Sequence, residues 1–266
     1  MTYGFIGLGN MASAIIQGMR QSENFKGSCI CGFDPDKAKL QNLSKVASLT
    51  PAASALEVAR SADVIILAVK PQILPTLLAE LKSVLSGGKL VITIAAGKKI
   101  SWYEEILGSG IHMVRVMPNI AAKVGAACSA LCKNEAATED ELATAVQIFA
   151  SVGTTHIIEE KLFSAFTALS GSSGAITLMY INAIATAGVE AGFSKNIALQ
   201  IANEATEGAC KLLGEGTSHP SELIDSICSP GGTTIAGVTT AKNLGLEATT
   251  IQAIKAIIEK DKTLSK

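Results

Sequence analysis

Tyr3-Gly4-Phe5-Ile6-Gly7-Leu8-Gly9-Asn10-Met11-Ala12 opens the chain and runs directly into Ser13-Ala14-Ile15-Ile16-Gln17-Gly18-Met19. The first residues form a short apolar run that reads as a buried strand ending in glycines. An amphipathic helix pattern follows with no linker between them. Gly7-x-Gly9-x-x-Ala12 fits the dinucleotide fingerprint, with alanine in the third place. Gly7 permits the tight turn, Gly9 lets backbone approach a pyrophosphate, and the small Ala12 lets helix pack on strand. The helix start offers N–H groups and a partial positive charge to that pyrophosphate. Gly7 and Gly9 are therefore candidate cofactor contacts.

Working outward, Ser28-Cys29-Ile30-Cys31-Gly32-Phe33 reads as the second strand, after a polar loop over residues 21–27. It ends at Asp34-Pro35-Asp36-Lys37. An acid at that strand's end can bind ribose hydroxyls, whereas a basic residue suits a 2′-phosphate. Asp34 is the candidate, and Lys37 can reach a phosphate. Asp-Pro-Asp is equally a good helix start, so the choice between NADH and NADPH stays open. Residues 62–69 form a continuous apolar run, as expected of a parallel strand covered on both faces. It ends in Lys70-Pro71-Gln72, with a helix to about residue 85. Residues 88–94 form another such strand, closing in Ala95-Ala96-Gly97, and residues 112–116 a third, closing in Met117-Pro118-Asn119. In an open α/β sheet these carboxyl ends face the ligand crevice. Residues 124–131 alternate like an edge strand, 139–151 like an amphipathic helix, and 154–158 like a last strand.

From Lys161 onward strand patterns disappear. Residues 162–169, 175–191, 195–213, 221–226, 235–243 and 249–262 read as helices, so the expected division is 1–160 and 161–266. The 175–191 helix carries no charge before Glu190. A helix apolar on every side is buried on every side, and a second subunit hides it most easily, so a dimer is expected. The longest uncharged run, 162–189, is expected to be broken by Ser170-Gly171-Ser172-Ser173-Gly174 into pieces shorter than the roughly 20 residues a membrane span needs.

Composition bounds the function. Of 266 residues, 48% are hydrophobic, 17% charged and 4% aromatic, so the core is built from Ala, Ile, Leu and Val. A net charge of −1 without a basic block argues against a nucleic-acid partner. No signal-peptide pattern precedes the first strand, so a cytoplasmic location is expected. The six cysteines form no Cys-x-x-Cys pair and read as small reduced thiols. His112, His156 and His219 have no Cys or His neighbour at metal spacing, so no metal is expected.

One stretch of the helical half looks chosen for ligand contact: Ser229-Pro230-Gly231-Gly232-Thr233-Thr234-Ile235-Ala236-Gly237. Two glycines and two threonines precede a helix, so N–H groups and hydroxyls converge at its positive end, a site for a small carboxylate. A bare helix cap needs one hydroxyl, whereas this loop offers Ser229, Thr233 and Thr234.

With these motifs in view, the chain resembles pyrroline-5-carboxylate reductases over nearly its whole length. The resemblance rests on Phe5-Ile6-Gly7-Leu8-Gly9-Asn10-Met11, Ala68-Val69-Lys70-Pro71-Gln72 and Ala95-Ala96-Gly97. It continues through Arg115-Val116-Met117-Pro118-Asn119, Ala168-Leu169-Ser170-Gly171-Ser172 and the 229–237 loop, which is the family's signature. It implies a Rossmann-like, doubly wound α/β sheet followed by an all-α dimerisation domain, in homodimers often assembled into rings. It implies NADPH or NADH as cofactor and 1-pyrroline-5-carboxylate as substrate. By resemblance Gly9, Asn10 and Met11 would hold the pyrophosphate, and Ala68, Val69, Lys70 and Pro71 the adenosine side. Ala95 and Ala96 would take the nicotinamide ribose, with Asn119 near the nicotinamide. Ser229, Gly231, Gly232, Thr233 and Thr234 would bind the substrate, Ser229 and Thr234 taking the catalytic roles. Two places depart from the family pattern: Ile120-Ala121 stand where Thr-Pro is usual, and Ser173-Gly174-Ala175-Ile176 where Gly-Pro-Ala and an aromatic are usual.

Reducing a cyclic imine asks little acid–base machinery of a protein, since the nitrogen can be protonated before hydride arrives. That matches a chain without paired carboxylates or a catalytic histidine at the crevice loops. The enzymatic alternative is a related imine reductase or 3-hydroxyacid-type dehydrogenase. Those rely on a lysine in the first helix of the second domain, where Lys161 stands without a supporting motif. The non-enzyme alternative, a nucleotide-sensing module, would show damage at 229–234 or 95–97, and both stretches are intact.

Overall fold

A computed structural model describes residues 1–85, 88–216 and 218–264. The N-terminal half is an eight-stranded sheet in the order β3-β2-β1-β4-β5-β6-β7-β8. The strands are β1 (Thr2–Ile6), β2 (Cys29–Phe33), β3 (Thr50–Pro51), β4 (Val64–Leu67), β5 (Leu90–Thr93), β6 (His112–Met117), β7 (Ala127–Lys133) and β8 (Gly153–Ile157). All neighbours run parallel except the antiparallel pair β6–β7. The helices of this half are α1 (Asn10–Gln21), α2 (Lys37–Ala47), α3 (Ala55–Ser61), α4 (Leu74–Leu85), α5 (Ile100–Leu107) and α6 (Glu139–Ala150).

Helices cover both faces, which is why the central strands are apolar throughout. Along β4, Val64 and Ile66 join one core layer with Phe5, Ile15, Ile16, Met19, Ile148 and Phe149. Ile65 and Leu67 join the opposite layer with Leu74, Leu78, Leu81 and Tyr103. Side chains alternate across a strand, so a strand covered on both sides must be hydrophobic at every position.

Three sequence expectations are corrected. The strand expected at the sheet edge over residues 124–131 is interior, since β7 is paired on both sides. Its alternation reported burial, whereas edge position is decided by the later strand β8 joining outside it. Val124 itself ends a 3-10 turn (Ile120–Val124), and Gly125 at φ +71° redirects the chain into β7. The polar loop at 21–27 contains a 3-10 turn, Glu23–Phe25, which buries Phe25 against Tyr3. Finally, Ser170–Gly174 do not break the apolar run. Helix α7 (Phe163–Phe166) continues through a π-helical turn, Thr167–Ser172, into α8 (Ser173–Glu190). A wider turn absorbs the small residues without ending the helix, and Thr167 Oγ1 helps by donating to the Phe163 carbonyl at 2.9 Å. The resulting helical run, Glu160–Glu190, is long and apolar enough to cross a membrane by length and composition alone.

The chain divides into two compact units, Met1–Gly171 with Ile258–Lys266, and Ser172–Ile257. The second unit is helical: α8, α9 (Lys195–Glu215), α10 (Pro220–Ile227), α11 (Thr233–Asn243) and the first part of α12 (Leu246–Leu264). Its own core is small, with Ile181 and Ala185 of α8 against Ala198 and Ala202 of α9. Gly188 permits that approach, since a Cβ there would lie 3.0 Å from the Ala198 methyl. Most apolar side chains of α8 stay exposed, Leu178 at 67% and Met179 at 72% among them. The expectation that this helix is buried all round therefore does not hold within one chain, which lacks the material to cover it.

Helix α6 shows how strongly local sequence fixes an element. Thr138 Oγ1 accepts the Glu141 N–H at 3.2 Å, and Glu141 Oε2 accepts the Thr138 N–H at 2.7 Å, closing a capping box. His112 Nδ1 lies 2.9 Å from both Glu141 oxygens. Burial acts to raise the Glu141 pKa but is outweighed by the Thr138 N–H and His112, so the carboxyl sits below its ordinary 4.5. A depressed folded pKa stabilises above the unfolded value and loses that contribution as pH falls through the folded one. Glu141→Gln is therefore expected to lower stability at pH 7 by about 1 kcal/mol. Thermal melts across pH check this: the gap to the unmodified protein should close under acid conditions below 4.5, and a gap independent of pH would contradict it.

Candidate active site

The carboxyl ends of β1, β4, β5 and β6 converge on one crevice. A hollow of about 270 Å³ there is lined by Gly9, Asn10, Met11, Ala68, Val69, Lys70, Pro71, Ile94, Ala95, Ala96, Met117 and Pro118. Nine of the sequence-derived cofactor candidates thus share one surface. A neighbouring hollow of about 250 Å³, floored by Ile6, Gly7, Phe33 and Val69 and rimmed by Pro35, Ser54 and Glu80, continues toward the end of β2. Another hollow, about 950 Å³ and rich in glutamates, shares no residue with the crevice.

Two glycines shape the turn in different ways. Gly7 lies at φ +91°, and a Cβ would stand 2.7 Å from the Ala68 carbonyl oxygen. Only glycine fits there. Gly9 has φ −72° and ψ −175°, which any residue adopts, and a Cβ would meet nothing within 4 Å. What Gly9 preserves is the open space in front of it. It is the N-cap of α1 with no side-chain cap, so the first-turn N–H groups lack intrahelical partners and are available to an anion.

The strand ends hold this cradle in place. Gly7 N–H donates to the Phe33 carbonyl at 2.8 Å and Ala68 N–H to the Ile6 carbonyl at 2.8 Å. Asp34 is buried; its Oδ2 accepts the Leu8 N–H at 2.8 Å and its Oδ1 the Asp36 N–H at 2.9 Å. The helix-start role in Asp-Pro-Asp belongs to Asp36, whose Oδ1 accepts from Ala38 and Lys39. Asp34 thereby braces the fingerprint loop and does not line the crevice hollow. Asn119 is likewise a strut: its Nδ2 donates to the carbonyl and hydroxyl of Ser170 at 3.1 Å, and its Oδ1 accepts the Cys128 N–H at 3.3 Å. Met117 and Pro118 line the crevice, as expected of the strand-end loop that holds them, and Ile94, read from sequence only as the end of a strand, lines it too. Lys70 is exposed at the rim, and Ile120 sits against Asn10, Met11 and Lys123 in a third hollow of about 190 Å³.

The second candidate site lies in the helical unit. Ser229–Gly232 form a turn closed by Gly232 N–H to the Ser229 carbonyl at 3.0 Å, with Gly231 at φ +67°. Gly232, not a threonine, is the N-cap of α11, and no side chain caps it. Thr233 and Thr234 occupy the first helical turn, and with Ser229 they are exposed. The helix N–H groups at this end are therefore open to an anion. Among the described residues no group of three or more His, Cys, Asp or Glu is placed to hold a metal ion.

Two substitutions test the cofactor cradle. Because Gly9 has ordinary dihedrals and open space, Gly9→Val should leave folding intact while weakening NAD(P)H binding about tenfold or more, a loss of about 1.4 kcal/mol. Unchanged affinity in a fluorescence titration would contradict the assignment. Because Asp34 braces the loop through backbone N–H groups, Asp34→Ala should weaken NADH and NADPH alike. A loss confined to NADH would place the ribose hydroxyls on Asp34.

Comparison with known proteins places the chain in a family. A family profile described as pyrroline-5-carboxylate reductase dimerisation matches residues 160–264, and one described as NADP oxidoreductase, coenzyme F420-dependent, matches residues 2–97. The chain is 38% identical to the pyrroline-5-carboxylate reductase of Methanosarcina acetivorans over 263 residues, covering 99% of this chain and 97% of that protein. A pyrroline-5-carboxylate reductase structure from Coxiella burnetii superposes with a TM-score of 0.95 at 30% identity, over 99% of this chain and 98% of that one. Plasmodium falciparum pyrroline carboxylate reductase, solved with NADP bound, superposes at 0.88 with 31% identity, over 100% and 98% of the two chains. With relatives this similar along its whole length, the chain belongs to the pyrroline-5-carboxylate reductase family.

Proposed function

We propose that this protein reduces 1-pyrroline-5-carboxylate to L-proline with NADH or NADPH. The observation that carries the reading is the 229–234 loop, a set of exposed hydroxyls at an uncapped helix start, on a chain whose other half carries a dinucleotide cradle. The substrate carboxylate is received by the N–H groups of Thr233 and Thr234 and by the Ser229 hydroxyl. Such a helix-end contact is worth on the order of 1 kcal/mol. Gly9, Asn10 and Met11 would hold the pyrophosphate, and Ala95 and Ala96, which line the same hollow, would take the nicotinamide ribose. A bound nicotinamide there would supply the hydride for the imine carbon. Thr234 hydrogen-bonds the ring nitrogen, keeping the protonated imine oriented. Burial pushes the Cys132 thiol up to about 12, so this cysteine is no nucleophile at neutral pH, consistent with chemistry that needs none.

The protein acts as a homodimer, with residues 1–160 as the dinucleotide domain and 161–266 as the substrate and dimerisation domain. The exposed apolar side chains of α8, which fall within the stretch matched by the dimerisation profile, support a second copy as their cover in place of lipid. On this reading the enzyme is soluble and cytoplasmic. Light scattering at micromolar concentration should give twice the chain mass or a multiple of it, and a monomer would contradict the assembly.

Removing a hydroxyl that meets the reacting imine acts mainly in the transition state. Thr234→Ala should therefore lower kcat/KM for pyrroline-5-carboxylate about tenfold, roughly 1.4 kcal/mol, with cofactor affinity unchanged. A fall in melting temperature with specific activity preserved would reduce Thr234 to a helix-start residue.

A further inference from the structure

The loop between β5 and α5 is held at its start by the buried Thr93 and Tyr103 and at its end by the half-buried Glu160. At its start, Thr93 Oγ1 accepts the Ala95 N–H at 3.3 Å and lies 2.6 Å from the Tyr103 hydroxyl. Thr93 and Tyr103 are both fully buried. Burial pushes the Tyr103 hydroxyl up to about 12, so it stays protonated through neutral pH. At the loop's end, the Ile100 N–H, the first of α5, donates to Glu160 Oε1 at 2.8 Å across 60 residues of sequence. The same oxygen accepts Arg115 Nη1 at 2.9 Å. Arg115 is buried on β6, and its guanidinium stacks 4.5 Å from the Phe163 ring centroid.

Arg115 is buried and Glu160 half-buried, and an ion pair of this kind is weak evidence for stability, because apolar residues of similar volume often serve as well. Here one carboxylate oxygen serves the ion pair and the helix start together, so its placement transmits to the loop. The geometry points to Arg115 and Glu160, assisted by Thr93 and Tyr103, as positioning residues that set the 95–99 loop for the nicotinamide end of the cofactor. This rests on the reading that Ala95 and Ala96 receive the nicotinamide ribose. The pair touches neither substrate nor cofactor. It acts by fixing where the Ala95-Ala96-Gly97 backbone stands, with Gly97 at φ +78° making the turn. Sub-ångström placement of such a loop governs how the ring is presented for transfer.

The test separates positioning from stability. Glu160→Gln keeps one acceptor but removes the charge, and it should weaken NADPH binding about tenfold while the KM for pyrroline-5-carboxylate hardly moves. The double variant Arg115→Met/Glu160→Leu leaves no unpaired buried charge, so its melting temperature should return close to that of the unmodified protein. Its NADPH Kd, read by fluorescence titration, should nonetheless be about tenfold weaker than that of the unmodified protein, because leucine leaves the Ile100 N–H without its acceptor. Recovery of both stability and affinity would overturn the proposal. Tyr103→Phe, which removes only a hydroxyl, serves if the double variant does not fold, with a loss of about threefold expected and none overturning the claim. Ala96→Leu distinguishes the underlying reading. If it weakens NADPH binding while the other variants do not, only the positioning role fails. If it leaves NADPH binding unchanged, the ribose assignment fails and takes this inference with it.

Discussion

The N-terminal half depends on a close approach that only one residue type allows. Gly7 stands with its α-carbon so near the Ala68 carbonyl that a methyl group would overlap it, at a φ of +91° that side chains disfavour. Its N–H is meanwhile bonded to the end of β2. The ends of three strands are thereby fixed within one hydrogen-bonded unit, and α1 starts where the chain leaves it. The crevice, the uncapped helix start and the open space before Gly9 all follow from that placement. Asp34 reinforces it from β2 by accepting the Leu8 N–H.

Much of this was legible in the sequence because the constraint is local. A turn needing positive φ and a helix needing a small residue against its strand leave glycine and alanine at fixed spacing, and apolar runs of strand length between loops can be read as a covered sheet. What the sequence left ambiguous is what a side chain bonds to. A strand-end position makes Asp34 a ribose candidate as readily as a helix start, and resemblance alone places Asn119 near the nicotinamide; both carry protein hydrogen bonds across long separations: Asp34 to Leu8, Asn119 to Ser170 and Cys128. Arg115 sat inside a recognised motif without a role, since its partner Glu160 lies 45 residues away. Thr50–Pro51 and the helix after it went unnoticed because a two-residue strand carries no periodicity.

The helical half shows a different limit. Its helices are evident from composition, yet the glycines and serines of residues 170–174 do not break the helix that carries them. A π-helical turn keeps them within the helix, and Ser170 uses its hydroxyl to donate to the Cys128 carbonyl at 2.9 Å. Apolarity on every face of α8 predicted burial, and one chain leaves that surface exposed. Large exposed apolar surfaces on otherwise ordinary chains mark interfaces, and the dimerisation profile covers this stretch.

The central claim is that a dinucleotide cradle and an anion-receiving helix start on one chain serve the reduction of a cyclic imino acid. The most direct measurement follows NADPH and NADH oxidation by the purified protein with 1-pyrroline-5-carboxylate, with the product identified by chiral chromatography. The account predicts oxidation that depends on the substrate and yields L-proline in equal amount. Cofactor binding with no proline formed from either nucleotide would contradict it.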